Sequence, residues 1–526
     1  MTSAAAPGGA ASGGAKAAAP AGFFRWMTMF TVMMGLLGSV MSSTMANIAI
    51  PDVMGAFGIG QDRAHWMSSG FLSAMTVSML MNAWFLGNFG ARNSFISAML
   101  LFSTASILGE VAPSYEIVVT ARVIQGACAG LLQPMAMSVI FLTFRPHERG
   151  VAMGLFGMGV VLGPALGPTL GGFIVDHLGW RYVFTATLPL PLIASALALR
   201  FVPPKDPLAD PRRLNWQSLL LMVTTVGGLL NGLSNGQRVG WESVYVTGSL
   251  LIAAVAGVSF IVRELTSREP LINLELFASR TYAASAVVSL VFGAGFFGST
   301  YLMPIFAQTV SGFTAAKAGM MLAPAGLAQL IVFPIAGRMA QSVRSGWPIL
   351  FGLGAFAVST HEFSKADFDT DFWTLALWLM LGRIGLGFVF PSLSVGSLQA
   401  LRADLVPYGA GTLNFMRMLG ASVGVNVLAV IVDQRSASHA AQLTQTQTWD
   451  NQTTHLLLGK LDGLLARGGL GGVEAKAGHL EYLGKVITAK ANWLAFQDGF
   501  LVVAFAFMIA MLLAIPLTRA ESRPKR

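Results

Sequence analysis

Residues 157–184, GMGVVLGPALGPTLGGFIVDHLGWRYVF, combine an apolar run of helix length with regularly spaced glycines and two prolines. Glycines four residues apart form one ridge on a helix, where a second backbone can approach closely. Each proline removes a backbone donor and bends the helix near it. A plain small-residue packing face is one interpretation. The sharper one is a bendable gating and packing helix formed by Gly159, Gly163, Pro164, Gly167, Pro168, Gly171 and Gly172.

The composition of the whole chain is that of a membrane protein. Of its 526 residues, 54% are hydrophobic and 11% are charged, whereas about 25% are charged in soluble domains. Apolar runs of about 20 residues recur from residue 23 onward, and each is long enough to cross about 30 Å of hydrocarbon. We count fourteen such runs, so the sequence predicts an all-α polytopic membrane protein with fourteen spans.

Basic residues are distributed unevenly between alternate loops, which predicts the orientation of the chain. If the N-terminus is cytoplasmic, most arginines fall in cytoplasmic loops, including Arg92, Arg145, Arg149, Arg200, Arg263, Arg338 and Arg402. The formal net charge of +9 is therefore explained by membrane topology, and no nucleic-acid partner is expected. Both termini are predicted to be cytoplasmic.

The sequence contains no metal cluster, phosphate loop or nucleophile–base set that would indicate an enzyme. The single cysteine, Cys128, lies in an apolar run and fits a small core residue. The seven histidines form no cluster with metal-ligand spacing, and no G-x-x-x-x-G-K-[ST] phosphate loop occurs. We therefore expect neither a metal nor a cofactor, and no enzymatic activity.

Two further stretches strengthen the argument from residues 157–184. Residues 121–130 read ARVIQGACAG, and residues 144–154 read FRPHERGVAMG. Together with the glycine–proline stretch, they resemble the major facilitator superfamily, in particular its fourteen-span drug:proton antiporter branch. Residues 435–443, RSASHAAQL, and 495–500, AFQDGF, flank a long polar loop and resemble the EmrB-like efflux permeases.

The resemblance implies a domain organisation. It implies two six-helix halves, residues 23–202 and 281–518, with two additional central helices in residues 203–280. Residues 1–22 are expected to form a disordered cytoplasmic tail, 435–492 a periplasmic helical loop, and 519–526 a basic cytoplasmic tail. Two amphipathic helices separated by glycines 468, 469, 471 and 472 fit the loop best.

The resemblance also implies partners and a location. The expected partners are a small amphipathic substrate, the lipid bilayer, a periplasmic adaptor of the membrane-fusion type and a TolC-like outer-membrane channel. The expected location is the bacterial inner membrane. Alternating access would expose a cavity between the halves to each side in turn.

Coupling to an ion gradient calls for ionisable groups inside the membrane. Arg122 matches the family's membrane-embedded arginine, with Gln125 one turn further on. The family's first-span aspartate is replaced by Ser42, which does not titrate at cellular pH. Glu110 and Asp498 are the remaining weak candidates for the acid, because apolar neighbours flank both.

In the family, two cytoplasmic loops carry charged motifs, here called charge latches, that steady the inward-closed state. Both motifs are degraded in this sequence. In AWFLGNFGARN, residues 83–93, Gly87 stands at the aspartate position and Arg92 is displaced. In the second-half counterpart, Gln341 replaces the acid beside Gly337 and Arg338. The sequence does not indicate what replaces these latches.

Polar and aromatic residues on otherwise apolar spans are the predicted lining of the substrate cavity. These are Ser42, Thr44, Asn47, Gln133, Phe297, Tyr301, Gln329, Arg383, Asn414 and Arg417. The buried arginines leave the interior positive, which favours an amphipathic neutral or anionic substrate over a dicationic dye. Facing lipid or water is the alternative role for such residues.

Three functions remain open at this point. The first is an efflux transporter of small amphipathic or hydrophobic compounds such as drugs and toxic organic acids, working by proton antiport as the permease of a tripartite system. The second, suggested by Ser42, is a proton-uncoupled facilitator or metabolite exporter. The third is a non-transporting membrane receptor or scaffold with the same fold.

Overall fold

The computed structural model describes residues 22–205, 213–267, 269–342, 344–447, 451–467 and 472–519. Regular structure in these ranges is helical, with three short 3₁₀ turns, Met79–Met81, Leu274–Ala278 and Ala403–Leu405. The α-helices, numbered α1 to α18 in chain order, are Gly22–Ile48, Ile50–Phe57, Gln61–Ala64, Trp66–Ser78, Asn82–Glu110, Tyr115–Thr143, Arg149–Leu178, Tyr182–Thr185, Pro189–Phe201, Trp216–Val239, Val244–Thr266, Arg280–Thr309, Ala315–Ser342, Gly346–Phe363, Phe372–Gln399, Val406–Gln445, Gln452–Arg467 and Gly472–Arg519.

The number of membrane spans is compatible with the predicted fourteen. Twelve helical segments of the described ranges are long and apolar enough to cross a membrane. One of them, Trp66–Glu110, contains α4 and α5, and α5 is itself broken at Gly90, where φ is 75° and ψ is 170°, so that the segment turns back there. The 18-residue helix α14 is not one of the twelve. If α14 is added to the twelve and Trp66–Glu110 is counted as two spans, before and after Gly90, the total is the predicted fourteen.

The turn at Gly90 requires glycine for two reasons. Its positive φ is rarely adopted by other residues, and a Cβ there would lie 2.6 Å from the Cα of Lys205. Arg92 holds the same turn, because its Nε donates to the Val202 carbonyl at 2.8 Å and its backbone N–H donates to the Pro203 carbonyl at 3.2 Å. The displaced arginine of the degraded latch therefore ties α5 to the end of α9, within the first half.

The two halves share one large apolar core. In the first half, α1 packs against α7 and α9, and α4 packs against α6. In the second half, α12 packs against α16, and α15 packs against α13 and α14. Buried side chains from both halves form a single cluster, to which Phe156 contributes from α7 and Phe390 from α15. This cluster joins the halves.

The accessory helices α10 and α11 form a hairpin outside this core. One face of α10 packs against α4 and α16, where its Met222 and Val226 join a cluster with Phe71 and Met418. Helix α11 packs on α10 and exposes a wide apolar face that includes Leu251 and Val255. Helix α10 therefore lies on the seam between the first and second halves.

Two helices extend far beyond the thickness of a bilayer. The 40 residues of α16 and the 48 residues of α18 correspond to about 60 and 72 Å, against about 30 Å of hydrocarbon. With α17, they supply the described helical residues of the range 435–492, for which the sequence predicts a periplasmic helical loop. The parts of α16 and α18 in this range continue membrane-spanning helices without a break, whereas α17 is a separate helix. Glycines 468, 469 and 471, residues 1–21 and residues 520–526 lie outside the described residues.

Candidate functional site

The glycine ridge of α7 packs against α1, within the first half. A Cβ at Gly163 would lie 2.6 Å from Cγ1 of Val40, and one at Gly167 would lie 1.9 Å from Oγ1 of Thr44. For Gly159 the nearest atoms belong to Met33, and for Gly171 they belong to Met45. Gly172 has no heavy atom within 4 Å of an added Cβ. Pro164 and Pro168 lie inside the same helix.

A different set of glycines on α7 forms the contact with the second half. A Cβ at Gly150 would lie 2.0 Å from the Gly337 carbonyl oxygen, and one at Gly154 would lie 2.4 Å from the Phe333 carbonyl oxygen. These positions lie at the end of the bundle where the loops rich in arginine are found, among them the loop with Arg145. We call this the basic end. Gln341, which stands at the latch acid position, also lies against Gly150.

A hydrogen bond joins the halves at a second place on the basic end. The buried Asn82, at the start of α5, donates from Nδ2 to the Pro407 carbonyl of α16 at 2.8 Å. Nearby, a Cβ at Gly411 would lie 2.7 Å from the Met79 carbonyl oxygen. Close approaches of glycines to backbone carbonyls and one hydrogen bond from a side-chain amide thus connect the halves at the basic end.

Arg122 is held in the first half by neutral groups. Its Nη1 donates to Oε1 of Gln125 at 3.0 Å, and Gln125 in turn donates to the Ser106 hydroxyl at 2.9 Å. The Nε donates to the Met67 carbonyl at 3.3 Å, and the guanidinium stacks on Phe71, 4.2 Å from the ring centroid. Arg122 and Gln125 therefore form a hydrogen-bonded pair, and both side chains are buried.

Arg383 and Arg417 occupy similar environments in the second half. Arg383 donates from Nη2 to the Thr300 hydroxyl at 2.6 Å and stacks 4.4 Å from the centroid of Phe296. Arg417 donates to Oδ1 of Asn414 and lies 4.8 Å from the centroid of Phe390. Both guanidinium groups are buried.

These two arginines flank a continuous set of phenylalanines, which we call the aromatic array. It comprises Phe156, Phe292, Phe296, Phe333 and Phe390 and has centroid separations of 6.0 to 6.1 Å. The array crosses from the first half to the second. Sequence reasoning missed all five, because nothing in a list of 35 phenylalanines marks the few that meet between the halves.

Three of the predicted cavity residues, Asn414, Gln133 and Gln329, are polar and buried. Asn414 donates from Nδ2 to the Met137 sulfur at 3.3 Å and so reaches across to α6. Gln133, one turn before Met137, and Gln329 on α13 each bury a side-chain atom that finds no hydrogen-bond partner in the described ranges, Oε1 and Nε2 respectively. Unsatisfied buried polar atoms of this kind are costly and suit a site that receives a ligand.

The other predicted cavity residues are dispersed. Ser42 is buried, and its hydroxyl lacks a hydrogen-bond partner among the described residues. Thr44 packs on Gly167, and the exposed Asn47 accepts a hydrogen bond from Ser68 at 2.6 Å. Two more lie on α12: Phe297 joins the cluster at the accessory helix α10, and Tyr301 is exposed.

The two candidate acids are not brought to Arg122. Glu110 is the half-buried last residue of α5. Asp498 on α18 accepts from Nε2 of His439 at 2.9 Å and lies 3.4 Å from Nε of Arg435, both on α16. Asp498 therefore belongs to a polar cluster beside the projecting helices.

The three buried arginines make the interior electrostatically positive. Within the described ranges, none of Arg122, Arg383 and Arg417 has an ion pair with a carboxylate. Arginine stays protonated in proteins, and an unpaired buried charge costs several kcal/mol. Such a site would be stabilised by an anionic or hydrogen-bond-accepting ligand.

An all-helical bundle of this size, with buried polar groups between two halves, has the architecture of a membrane transporter. The model of the Major Facilitator Superfamily matches residues 32–425. The chain therefore belongs to this superfamily, and its resemblance to the EmrB-like permeases is confirmed by the relatives below.

Multidrug export protein EmrB of Escherichia coli strain K12 is 29% identical over 432 residues, 81% of this chain and 83% of that protein. Fatty acid resistance protein FarB of Neisseria gonorrhoeae is 26% identical, over 82% and 85% of the two chains. The crystal structure of the human organic anion transporter MFSD10 has the same fold, with a TM-score of 0.63 at 14% identity over 93% of this chain and 99% of that chain.

Proposed function

We propose that this transporter exports small amphipathic compounds, neutral or anionic, by alternating access across the bacterial inner membrane. The observation that carries the proposal is the pairing of buried, carboxylate-free guanidinium groups with the aromatic array. Arg417 stacks on Phe390, and Arg383 stacks on Phe296. Aromatic rings suit the apolar part of a ligand, and the adjacent guanidinium groups suit a carboxylate.

The relatives support the same substrate class. EmrB is named for multidrug export, and FarB for resistance to fatty acids, which are amphipathic carboxylates. We extend that class to this chain because the buried arginines offer a carboxylate two hydrogen-bonding sites beside an apolar surface. A quaternary ammonium ion would face the same positive interior without a compensating acid.

Flux into proteoliposomes tests the substrate class. We expect a fluorescent medium-chain carboxylate and its neutral amide to be transported, and a quaternary ammonium analogue of the same length to be excluded. Arg417→Gln should lower carboxylate flux by about tenfold or more, since it removes a charged hydrogen bond, and should affect the amide less. Arg417→Lys should keep part of the carboxylate flux.

Arg402→Gln is the matched control, because Arg402 is an exposed arginine whose ion pairs with Glu275 and Asp404 lie at the surface. It should leave both fluxes unchanged. Transport of the quaternary ammonium alone would overturn the substrate class. No flux of any of the three compounds by a folded protein would favour the scaffold alternative.

The energy source is a separate part of the proposal. Proton antiport is the function expected from the family, whereas the buried Ser42 at the position of the usual acid favours an uncoupled facilitator. Flux measured with and without an imposed pH gradient distinguishes them. Acceleration by the gradient supports antiport, and equal rates support the facilitator.

We also propose that the projecting parts of α16 and α18, together with α17, contact a periplasmic adaptor that leads to a TolC-like outer-membrane channel. Their length beyond the bilayer supports this role. Co-purification with a coexpressed single-span adaptor tests it. Replacing residues 446–472 by a short glycine–serine linker should abolish co-purification while preserving flux in proteoliposomes.

A further inference from the structure

Two adjoining cavities lie at the basic end, where the accessory hairpin meets both halves. The inner one has a volume of about 270 Å³, and the outer recess has a volume of about 490 Å³. They share four lining residues, Arg213, Leu214, Asn215 and Glu269. Their described lining residues include neither the buried arginines nor the rings of the aromatic array, and the proposed export function does not use them.

The charged groups of these cavities have both signs. The outer recess contains the guanidinium groups of Arg213 and Arg263 and the carboxylate of Glu269. Asn215 organises the site, because it donates to the Ser267 hydroxyl at 2.9 Å and accepts from Nε of Arg263 at 3.3 Å. A ligand with a negative and a positive group a few ångströms apart would satisfy this arrangement.

The position of the cavities is that of a phospholipid headgroup. Asn215 is the N-cap of α10, so the recess lies at the level where that helix enters the membrane. Below it, α10 exposes Trp216, Leu220 and Val223, which are 70%, 66% and 47% accessible. Their spacing of i, i+4 and i+7 places them in one stripe along the helix. The stripe provides an apolar track for acyl chains below a polar recess.

We propose that these cavities bind the headgroup of a phospholipid with a primary amine, that is, a phosphoethanolamine group. Arg213 and Arg263 contact the phosphate, and Glu269 accepts hydrogen bonds from the ammonium group. The acyl chains lie along the stripe on α10. A primary ammonium has three donors for the Glu269 carboxylate, whereas a quaternary choline has none. The site therefore prefers ethanolamine over choline lipids.

The inner cavity also connects the ligand to the contact between the halves. Its wall includes Leu80 and Trp84 from the first half and Tyr408 from the second. These residues flank the partners of the hydrogen bond between Asn82 and the Pro407 carbonyl. Because the wall is complete only while the basic ends of the halves touch, a bound headgroup stabilises that conformation.

Native mass spectrometry of the purified full chain with defined lipids tests the proposal directly. Phosphatidylethanolamine should bind about fivefold or more tightly than phosphatidylcholine of the same acyl chains, the effect of one interfacial charge contact. Glu269→Gln should remove this preference and leave binding of phosphatidylglycerol unchanged. Arg213→Gln should weaken the binding of both phosphatidylethanolamine and phosphatidylcholine.

Glu481→Gln and Lys485→Gln are matched controls, since these residues form an exposed ion pair on α18, far from the recess. They should leave lipid binding unchanged. Equal binding of ethanolamine and choline lipids by the unmodified chain would overturn the proposal. So would Glu269→Gln and Arg213→Gln variants that bind lipid as the controls do.

Binding of soluble glycerophosphoethanolamine shows whether the ligand is a bilayer lipid or a water-soluble compound with the same headgroup. If it binds while the bilayer lipid does not, the lipid assignment is wrong. If it displaces the lipid only at much higher concentration, the acyl track is supported. These binding readouts do not depend on transport, so a failure of the proposed export function would leave them interpretable.

Discussion

The two glycine runs of α7 look alike in sequence but have different partners. Gly163 and Gly167 pack on α1 in the same half, whereas Gly150 and Gly154 meet backbone carbonyls of α13 in the other half. A contact within one half can persist through a transport cycle, but alternating access requires a contact between the halves to break and reform. The comparison separates glycines needed for folding from glycines needed for one conformation.

The largest effect is expected at the contact between the halves. Gly154→Val places a side chain against the Phe333 carbonyl, a backbone atom that no rotamer change can move. Overpacking of up to about 3 kcal/mol in this conformation alone corresponds to a population shift of about 150-fold. The variant should remain folded but open at the basic end, and its transport should fall accordingly.

Spin labels measure this opening. With Cys128 replaced by serine, cysteines at the exposed positions Arg145 and Arg402 place one label on each half at the basic end. Gly154→Val should move the distance distribution to longer values. An unchanged distribution would mean that the Gly154 contact does not hold the halves together.

A smaller effect, on stability and not on conformation, is expected at Gly163 on the glycine ridge of α7. Gly163→Val would collide with the β-branched Val40, and overpacking within the half should cost about 1–2 kcal/mol. The variant should unfold at a lower temperature, while the Arg145–Arg402 distance distribution of the folded protein stays as in the parent. A shift of that distance distribution would show that packing at the ridge also affects whether the halves are open or closed at the basic end.

Asn82→Ala removes the hydrogen bond to the Pro407 carbonyl between the halves, together with a weaker one of 3.3 Å to the Ser138 hydroxyl within the first half. Loss of the bond between the halves costs about 1 kcal/mol, so the closed fraction at the basic end should fall about fivefold relative to the open fraction. Asn426→Ala is the control, because Asn426 donates to the Ser422 carbonyl within its own helix at 2.8 Å. If both variants shift the label distances equally, the bond to Pro407 has no special role.

The smallest effects are expected where the ridge has flexible or empty surroundings. Gly159→Ala should cost less than about 1 kcal/mol, because the contacting atom is the terminal methyl of Met33, which can move. Gly172→Ala meets no atom within 4 Å and should not lower the unfolding temperature. A marked loss at Gly172 would contradict the packing argument for the whole ridge.

The aromatic array, the glycine–carbonyl contacts and the Asn82–Pro407 hydrogen bond between the halves could not have been predicted from the sequence. Periodicity identifies residues that share a face of one helix, but it does not name the helix that the face meets. Asn82 and Pro407 are 325 positions apart, and neither forms part of a recognisable motif. The two degraded latch motifs are visible in the sequence, whereas the contacts of Gly150 and Gly154 with backbone carbonyls of α13 are not.

By itself, the sequence determined the membrane class, the superfamily and the presence of arginines in apolar helices, because hydropathy and short motifs are local properties. The Arg122–Gln125 pair was also predictable, since residues three apart are neighbours on a helix. Only the tertiary structure decided which glycines join the halves, which rings meet Arg383 and Arg417, and that Asp498 pairs with His439. Those contacts depend on how distant helices pack, which no local pattern encodes.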